Sequence, residues 1–122
     1  MTLIGRVCLL HVEQIKRALG ISGVLCDVRA WRSRQTQPGA QIDLLIDRPD
    51  GIVNVCECKY ADTPFDIDSA YRESLLNKLE AFRNEAKCHK ALHLTMIAPG
   101  GVARNAYSDV VVNELGADAL FL

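Results

Sequence analysis

Two carboxylates, one ammonium group and one amide lie close together in the middle of the sequence, on two stretches that flank a tight turn. Asp43 precedes the turn, and Glu57 and Lys59 follow it with a single residue between them. Gln41 stands two residues before Asp43. Mg²⁺ takes one or two carboxylates from a protein and completes its shell with water. This spacing therefore predicts a candidate site for metal-dependent chemistry.

The turn predicts how these side chains face one another. Residues 48–52 read Arg-Pro-Asp-Gly-Ile. Proline and aspartate suit the two central positions of a type I turn, and glycine suits the left-handed residue after it, which together make a three-residue hairpin loop. In that register Asp43 faces Glu57 across the two strands, and Gln41 faces Lys59.

The alternation of side chains along the two strands assigns them to two faces. One face is predicted to be core and carries Ile42, Leu44, Ile46, Cys56, Cys58 and Tyr60. The other face carries the four polar residues Gln41, Asp43, Glu57 and Lys59 at the end away from the turn, and Leu45, Val53 and Val55 nearer to it. Because the second face is apolar near the turn, we expect a helix to cover it and to leave a polar patch at its edge.

Two carboxylates that face each other across strands lie about 5 Å apart at Cβ, and such a pair is destabilising unless something compensates. A divalent cation would compensate this repulsion, and so would the ammonium group of Lys59. The residues alone therefore leave two interpretations open. One is a metal site, and the other is a solvated cluster of charges on a sheet face with no function.

Periodicity and turn residues predict the elements that position this hairpin. The predicted helices are Val7–Leu19 and Asp68–Ala86; the predicted strands are Val24–Trp31, Ala40–Asp47, Ile52–Tyr60, Ala91–Ala98 and Asp109–Asn113; Ser33–Gly39 is a loop and Gly116–Leu122 a closing turn or helix. The long helix is expected to begin at Asp68 or Ser69 as its cap and to bury Leu75, Leu76, Leu79 and Phe82. The order αβββαβ, followed by a further strand, predicts an α/β domain with a mixed central sheet flanked by helices.

The size and composition of the chain fit one domain, residues 1–122, with an ordinary core. The formal net charge is -1, from 14 basic and 15 acidic residues. That balance argues against a surface coated for non-specific nucleic-acid binding and leaves room for a local basic cleft. There is no apolar run of membrane-spanning length and no secretory signal, so we expect a cytoplasmic protein without a membrane partner.

The five cysteines are Cys8, Cys26, Cys56, Cys58 and Cys88. An odd number without a secretory signal argues against a disulfide framework. The spacing of Cys56 and Cys58 does not suit a structural zinc site, because no second pair of ligands follows at zinc spacing. Most of these cysteines are therefore predicted to be small buried hydrophobic residues.

The polar residues of the hairpin also resemble a known family. Asp43, followed across a hairpin by Glu57-Cys58-Lys59, is similar to the D…(D/E)xK signature of the PD-(D/E)XK (restriction-endonuclease-like) nuclease superfamily. A longer likeness runs from GAQIDLLIDRPDGIVNVCECKYADTPFDID through NKLEAFRNEA to KALHLTMIAPGGVARNAYSDVV. These segments resemble the C-terminal domain of Bacteroides-type AAA ATPases and cover nearly the whole chain.

The resemblance implies a fold and a role for each residue of the signature. The fold would be the restriction-endonuclease-like αβββαβ core, and the reaction would be hydrolysis of phosphodiester bonds in DNA. Asp43, Glu57 and the backbone carbonyl of Cys58 would hold Mg²⁺ or Mn²⁺. Lys59 would orient or activate the attacking water and stabilise charge on the phosphate. Gln41 matches a polar position that often completes such a site.

Two departures from that family weaken the expectation of activity. The family carries a glutamate on its first helix, whereas Gly5 and Arg6 stand at the corresponding position here. In addition, no phosphate-binding loop of an ATPase occurs in the chain. The alternatives are therefore an active DNA endonuclease, an inactive nuclease-fold domain that serves DNA or protein binding beside an ATPase module, and a protein-interaction module. Family nucleases often pair, so a homodimer is a further expectation.

Three other groups of residues carry weaker predictions. Tyr71 and Lys78 on the long helix are weak candidates for auxiliary roles at the site, since family nucleases often place polar residues there. The basic segment Arg29, Trp31, Arg32 and Arg34 could track a phosphate backbone, with a solvated strand end as the simpler interpretation. His11 could reach the edge of the site only if its helix face turns inward, and His93 is most simply a core histidine.

Overall fold

The computed structural model describes residues 11–34 and 40–121. Its helices are α1 (Val12–Ala18), α2 (Ser69–Glu85) and α3 (Ala117–Phe121), with a 3₁₀ turn at Ser108–Val110. Its strands are β1 (Asp27–Arg32), β2 (Gln41–Asp47), β3 (Ile52–Cys58), β4 (Ala91–Ile97) and β5 (Asn113–Leu115). The described chain is thus an α/β structure with helices packed on a mixed sheet.

The five strands form one sheet in chain order, β1-β2-β3-β4-β5. The first three strands are antiparallel neighbours, whereas β3, β4 and β5 run parallel to one another. The long helix α2 provides the crossover between β3 and β4, as a parallel pair requires. The predicted order αβββαβ and the mixed sheet are therefore confirmed.

The two faces of the sheet carry separate cores. One core, here called the α1 side, contains Ile15 of α1 together with Leu44, Ile46 and Cys56 of the central strands. The other core, here called the α2 side, contains Leu75 and Phe82 of α2 packed on Leu45, Val53, Val55 and Leu94. The predicted helix over the second face of the hairpin is therefore present, and it is α2.

Helix α2 begins as predicted, because the side chain of Asp68 accepts a hydrogen bond from the backbone N–H of Tyr71 at 2.7 Å. Leu75 and Phe82 of the predicted stripe are buried, and Leu79 is partly buried. Leu76 was predicted to be buried and is 37% exposed. It follows Leu75 directly, so it lies about 100° around the helix from the buried stripe.

Several predicted boundaries differ from those of the structure. The first strand begins at Asp27 instead of Val24, because the backbone turns before it, with Val24 donating to the carbonyl of Ile21. The predicted third strand reached Tyr60, but β3 ends at Cys58, and Tyr60 is 38% exposed instead of lying in the core. The segments Val7–Leu10 and Gln35–Gly39 of the predicted helix and loop lie outside the described residues.

The last predicted strand, Asp109–Asn113, was misplaced. The chain forms a 3₁₀ turn at Ser108–Val110, and only Asn113–Leu115 pairs with β4. Val110 and Val111 suggested a strand by their residue type, but their partly buried side chains pack against the α2-side core. Their apolar character therefore reflects packing and not strand pairing. The predicted closing helix is present as α3.

The cysteines behave in two ways. Cys56 is fully buried, and burial raises the pKa of its thiol, so it acts as a small hydrophobic residue. Cys26 and Cys88 are free and partly buried. Cys58 differs from the expectation of a free thiol because it is disulfide-bonded. Within the part of the chain that the structure describes, no helix is long and apolar enough to cross a membrane.

Candidate functional site

The hairpin between β2 and β3 has the predicted register. Leu44 pairs with Cys56 and Asp47 with Val53, and the backbone N–H of Arg48 donates to the carbonyl of Ile52 at 3.0 Å. Gly51 at the turn has φ of 87°, the left-handed conformation that the loop requires. Asp43 is the next residue of β2 after the pair of Leu44 and Cys56, and Glu57 is the next residue of β3. Both therefore lie at the same end of the hairpin.

A β-bulge lies beside Asp43. Arg29 of β1 pairs with Leu45, but Trp31 pairs with Ile42, so three steps along β2 match two steps along β1. The extra residue turns Ile42 to the α2 side, where it packs in the same cluster as Leu45. The prediction that Ile42 shares a face with Leu44 and Ile46 was therefore wrong. Bulges change the direction of nearby side chains and are frequent next to active sites.

Glu57 is largely buried, and its partner is a lysine of α2. The side-chain Nζ of Lys78 lies 2.6 Å from Oε1 of Glu57, and the two side chains are 20% and 10% exposed. The candidate carboxylate therefore points toward α2, as predicted, and already carries one compensating cation. An ammonium group thus occupies one of the two oxygens of this carboxylate.

Burial raises the pKa of Glu57 above the usual range of a glutamate. The ammonium groups of Lys78 and Lys59 oppose this rise, and the carboxylate of Asp43 adds to it by repulsion. The charges of Asp43, Glu57, Lys59 and Lys78 thus act on one another at the same end of the sheet. The ion pair with Lys78 does not repay the full cost of removing the carboxylate from water.

Glu57→Gln is expected to stabilise the fold at neutral and alkaline pH. The folded protein holds the Glu57 proton more tightly than the unfolded chain, so ionisation costs stability as pH rises through the normal glutamate pKa toward the raised folded value. Each unit of pKa difference corresponds to about 1.4 kcal/mol, or a few degrees in melting temperature. Thermal melts of wild type and variant should therefore diverge as pH increases from about 4 to 8.

The exposed Glu73 of the same helix provides the matched control, since Glu73→Gln removes one charge without changing a buried group. Its effect on melting temperature should be within a degree or so across the pH range. A Glu57→Gln variant that is less stable than wild type at pH 8, or whose difference does not vary with pH, would contradict this account of Glu57.

Lys59 is held against two aromatic rings. Its Nζ lies 4.9 Å from the ring centre of Tyr71 and 5.3 Å from that of Phe65, within the range of cation–π attraction. The two rings themselves pack edge to face, with centres 5.1 Å apart. Burial and the nearby Glu57 charge raise the pKa of the Tyr71 hydroxyl, so Tyr71 stays protonated and can donate a hydrogen bond. This arrangement fixes where the Lys59 ammonium group points.

The segment after β4 positions one of these rings. The backbone N–H of Phe65 donates to the carbonyl of Gly101 at 2.8 Å, and the N–H of Ala103 donates to the carbonyl of Phe65 at 2.8 Å. Gly100 makes this approach possible, because a Cβ there would lie 2.6 Å from the carbonyl oxygen of Ala61 and closer still to that of Thr63. A side chain at position 100 would therefore displace the backbone that leads to Phe65.

Gly100→Ala is expected to destabilise the fold by about 1–3 kcal/mol, the usual cost of overpacking against backbone. It should also loosen the ring of Phe65 from Lys59. Gly116→Ala is the matched control, because its Cβ would meet only the flexible side chain of Asp118, at 3.2 Å. Thermal melts should separate the two variants, and equal stability of both would show that the close approach at Gly100 is unimportant.

Gln41 contacts Asp43 and not Lys59. Its side-chain Nε2 donates to Oδ1 of Asp43 at 3.0 Å, and its Oε1 accepts from Nη2 of Arg32 at 3.2 Å. The predicted facing of Gln41 and Lys59 is not seen, because the pairing of β2 with β3 extends no further than Leu44 and Cys56 and β3 ends at Cys58. Gln41 therefore orients the Asp43 carboxylate and connects it to β1.

The sequence singled out some of these residues and missed others. Lys78 and Tyr71, predicted only as weak candidates, contact Glu57 and Lys59 directly. Their signal is their spacing, since positions 71, 75, 78 and 82 fall on one helical stripe, and a lysine within an apolar stripe needs a partner. Phe65 was not predicted, and it lies in a loop without periodicity. Gly5 and Arg6, where the family has an acid, lie outside the described residues.

The donor set of this cluster suits a weakly held divalent cation. Asp43 and Glu57 supply two carboxylates, which is the number that Mg²⁺ commonly takes from a protein. No group of three or more His, Cys, Asp or Glu side chains among residues 11–34 and 40–121 is arranged to hold a metal ion. Water would therefore complete the shell, and Lys78 would have to leave Glu57 or share it.

The fold and the site together define a mixed α/β domain with two carboxylates and two ammonium groups at one end of its central strands. No known protein-family model matches the chain, and no curated protein matches it. The structure is similar to the crystal structure of AF1548, a protein of unknown function, with a TM-score of 0.60 and 14% sequence identity. The likeness covers 98% of this chain and 65% of that protein, so the chain spans about two thirds of its length. Identity this low shows a common fold and nothing about activity.

Proposed function

We propose that this chain is a PD-(D/E)XK-type domain that hydrolyses phosphodiester bonds in DNA with the help of Mg²⁺ or Mn²⁺. The observation that supports the proposal is that the charges of Asp43 and Lys59 both act on Glu57 at one end of the sheet. The raised pKa of the largely buried Glu57 agrees with it, because perturbed carboxylates cluster at functional sites.

Each residue of the cluster has a role in this mechanism. Asp43 and Glu57 would hold the cation, with Gln41 fixing the direction of the Asp43 carboxylate. Cys58 would contribute its backbone carbonyl, as the family resemblance implies. The bound cation would supply a polarised phosphate oxygen and a water of lowered pKa. Lys59, fixed by the rings of Phe65 and Tyr71, would orient that water and stabilise charge on the phosphate.

Lys78 has a second role in the proposal. It neutralises Glu57 through their ion pair, and a cation held by Glu57 would take over that role. An ammonium group released beside two metal-held carboxylates could then contact an anionic substrate. The Glu57–Lys78 pair would thus keep the site stable before the cation and DNA arrive.

One observation favours a second candidate function. The ion pair between Lys78 and Glu57 satisfies the buried carboxylate without any metal ion. A domain that needs no cation could keep the fold for binding DNA or a protein, for example beside an AAA-type ATPase module.

The test of the proposed function is a cleavage assay on branched and linear DNA with Mn²⁺, Mg²⁺ or EDTA. The proposal predicts cleavage that depends on the divalent cation and is absent in EDTA. Absence of cleavage on every substrate, together with DNA binding in EDTA, would favour the second candidate function.

A further inference from the structure

A groove runs along the outer edge of the sheet beside the candidate site. Among the described residues, strand β1 pairs with β2 alone and so lies at the edge of the sheet. Two adjoining depressions of about 380 and 560 Å³ share the lining residues Ala30, Trp31 and Arg32. Gln41 completes the first depression, and Arg34 and Glu85 complete the second. Because they share these residues, the two depressions form one groove along β1.

Two arginines, Arg32 and Arg34, and one carboxylate, Glu85, line this groove. Neither Arg32 nor Arg34 forms an ion pair with a carboxylate of the described residues. The Glu85 carboxylate is turned to the end of β1, where it accepts hydrogen bonds from the Ser33 hydroxyl and, at 3.1 Å, from the backbone N–H of Arg34. Arg29 differs from these two arginines, because its Nε lies 3.5 Å from a carboxylate oxygen of Asp27.

An aromatic ring, that of Trp31, lines both depressions together with Arg32. Trp31 is partly exposed, and its inner edge is fixed by an edge-to-face contact with Phe82 of α2, with ring centres 5.4 Å apart. A partly exposed ring in the same groove as guanidinium groups suits a nucleobase and its phosphates. The protein as a whole has a net charge of -1, so it lacks the broad basic surface that a duplex would demand.

The groove leads to the candidate site through one side chain. Nη2 of Arg32 donates to Oε1 of Gln41 at 3.2 Å, and Nε2 of Gln41 donates to Oδ1 of Asp43 at 3.0 Å. Arg32 is therefore linked to a carboxylate of the candidate metal site by two hydrogen bonds, and a phosphate on Arg32 would add a third.

We propose that the groove along β1 binds a single strand of DNA, with its phosphates on Arg32 and Arg34 and a base against Trp31, and delivers the next phosphate to Asp43 and Glu57. This inference rests on the proposed function for the identity of the nucleic acid. Binding in the groove requires neither a metal ion nor hydrolysis, so the two proposals can fail separately.

The experiment is a titration of the full chain with a labelled single-stranded oligonucleotide in EDTA. Binding is measured both by the fluorescence anisotropy of the label and by the intrinsic fluorescence of the protein. Trp31 is the sole tryptophan of the chain, so its emission reports the groove directly. We expect Trp31 emission and anisotropy to saturate together, and single-stranded DNA to bind more tightly than duplex of the same length.

Arg32→Gln and Arg34→Gln test the cations, with Arg29→Gln as the control on the same strand that removes the same charge. Each groove variant should weaken binding about tenfold or more, as loss of a charged hydrogen bond implies, and lower the salt slope by about 0.7. Arg29→Gln should stay within about twofold of wild type, because its charge is already paired.

Three results would overturn the inference: binding without any change in Trp31 emission, equal losses for Arg29→Gln and Arg32→Gln, or tighter binding of duplex DNA. Failure of the proposed function looks different. In that case the single strand binds in EDTA with the expected variant pattern, and added Mn²⁺ produces no cleavage.

Discussion

Asp43→Asn is expected to abolish Mn²⁺-dependent cleavage of DNA while leaving the fold intact. The amide keeps the shape of the carboxylate and can still contact Gln41, but it removes one of only two carboxylates that would hold the cation. Changes to groups that merely support metal ligands cost about 10–100-fold. Loss of a ligand should therefore lower the cleavage rate by more than about 100-fold, measured under single-turnover conditions.

The matched control for this variant is Asp47→Asn, on the same strand. Asp47 pairs with Lys90 at 2.6 Å, and both side chains are about one third exposed, so its loss should cost little stability and no activity. Retained cleavage by Asp43→Asn, or equal loss in both variants, would show that Asp43 does not act at the chemical step.

Lys78→Met should destabilise the fold more than any other single change within the charge cluster. It leaves the carboxylate of Glu57, whose side chain is 10% exposed, without its ion-pair partner. Removing one partner of a fully buried pair costs about 3–5 kcal/mol, and the partial exposure of Lys78 reduces this to roughly 1–3 kcal/mol. Thermal melts at pH 8 in EDTA should show a fall of several degrees.

Two conditions should rescue the Lys78→Met variant. Acid protonates Glu57 and removes the unpaired charge, so the difference from wild type should shrink as pH falls toward 4. Mn²⁺ should raise the melting temperature of the variant more than that of wild type, because the cation replaces the missing ammonium group; at 100 times its Kd a ligand adds about 2.7 kcal/mol.

The double variant Glu57→Gln/Lys78→Met provides the control for that interpretation. If Lys78 acts through Glu57, the methionine substitution should cost little once Glu57 is uncharged, and Mn²⁺ should no longer stabilise the protein. An equal loss in both backgrounds would mean that Lys78 contributes packing alone. In that case Lys78 would not compete with a metal ion for Glu57.

The hairpin shows what the sequence could predict. Its turn has residues whose backbone preferences are local, so the register of β2 and β3 followed from five adjacent positions. The cap at Asp68 and the buried pair Leu75 and Phe82 likewise depend on local spacing. These features place Asp43 and Glu57 together before any tertiary contact is known.

The bulge and the aromatic contacts of Lys59 show what the sequence could not predict. The bulge arises from pairing between β1 and β2, which is not determined by the residues of β2 alone, and it moved Ile42 to the other face. Phe65 is fixed by backbone hydrogen bonds to residues 101 and 103. Such non-local pairings are determined by the packed sheet, so no local pattern in the sequence indicates them.

The most direct test of the central claim is a calorimetric titration of the full chain with Mn²⁺, on wild type, Asp43→Asn, Glu57→Gln and the control Asp47→Asn. The metal-site account predicts saturable binding by wild type and Asp47→Asn, and its loss in both site variants. Binding should also weaken as pH falls, because Glu57 must be ionised to act as a ligand and its pKa is raised. Absence of binding by wild type, or unchanged binding by Asp43→Asn, would contradict a metal-dependent site on this hairpin.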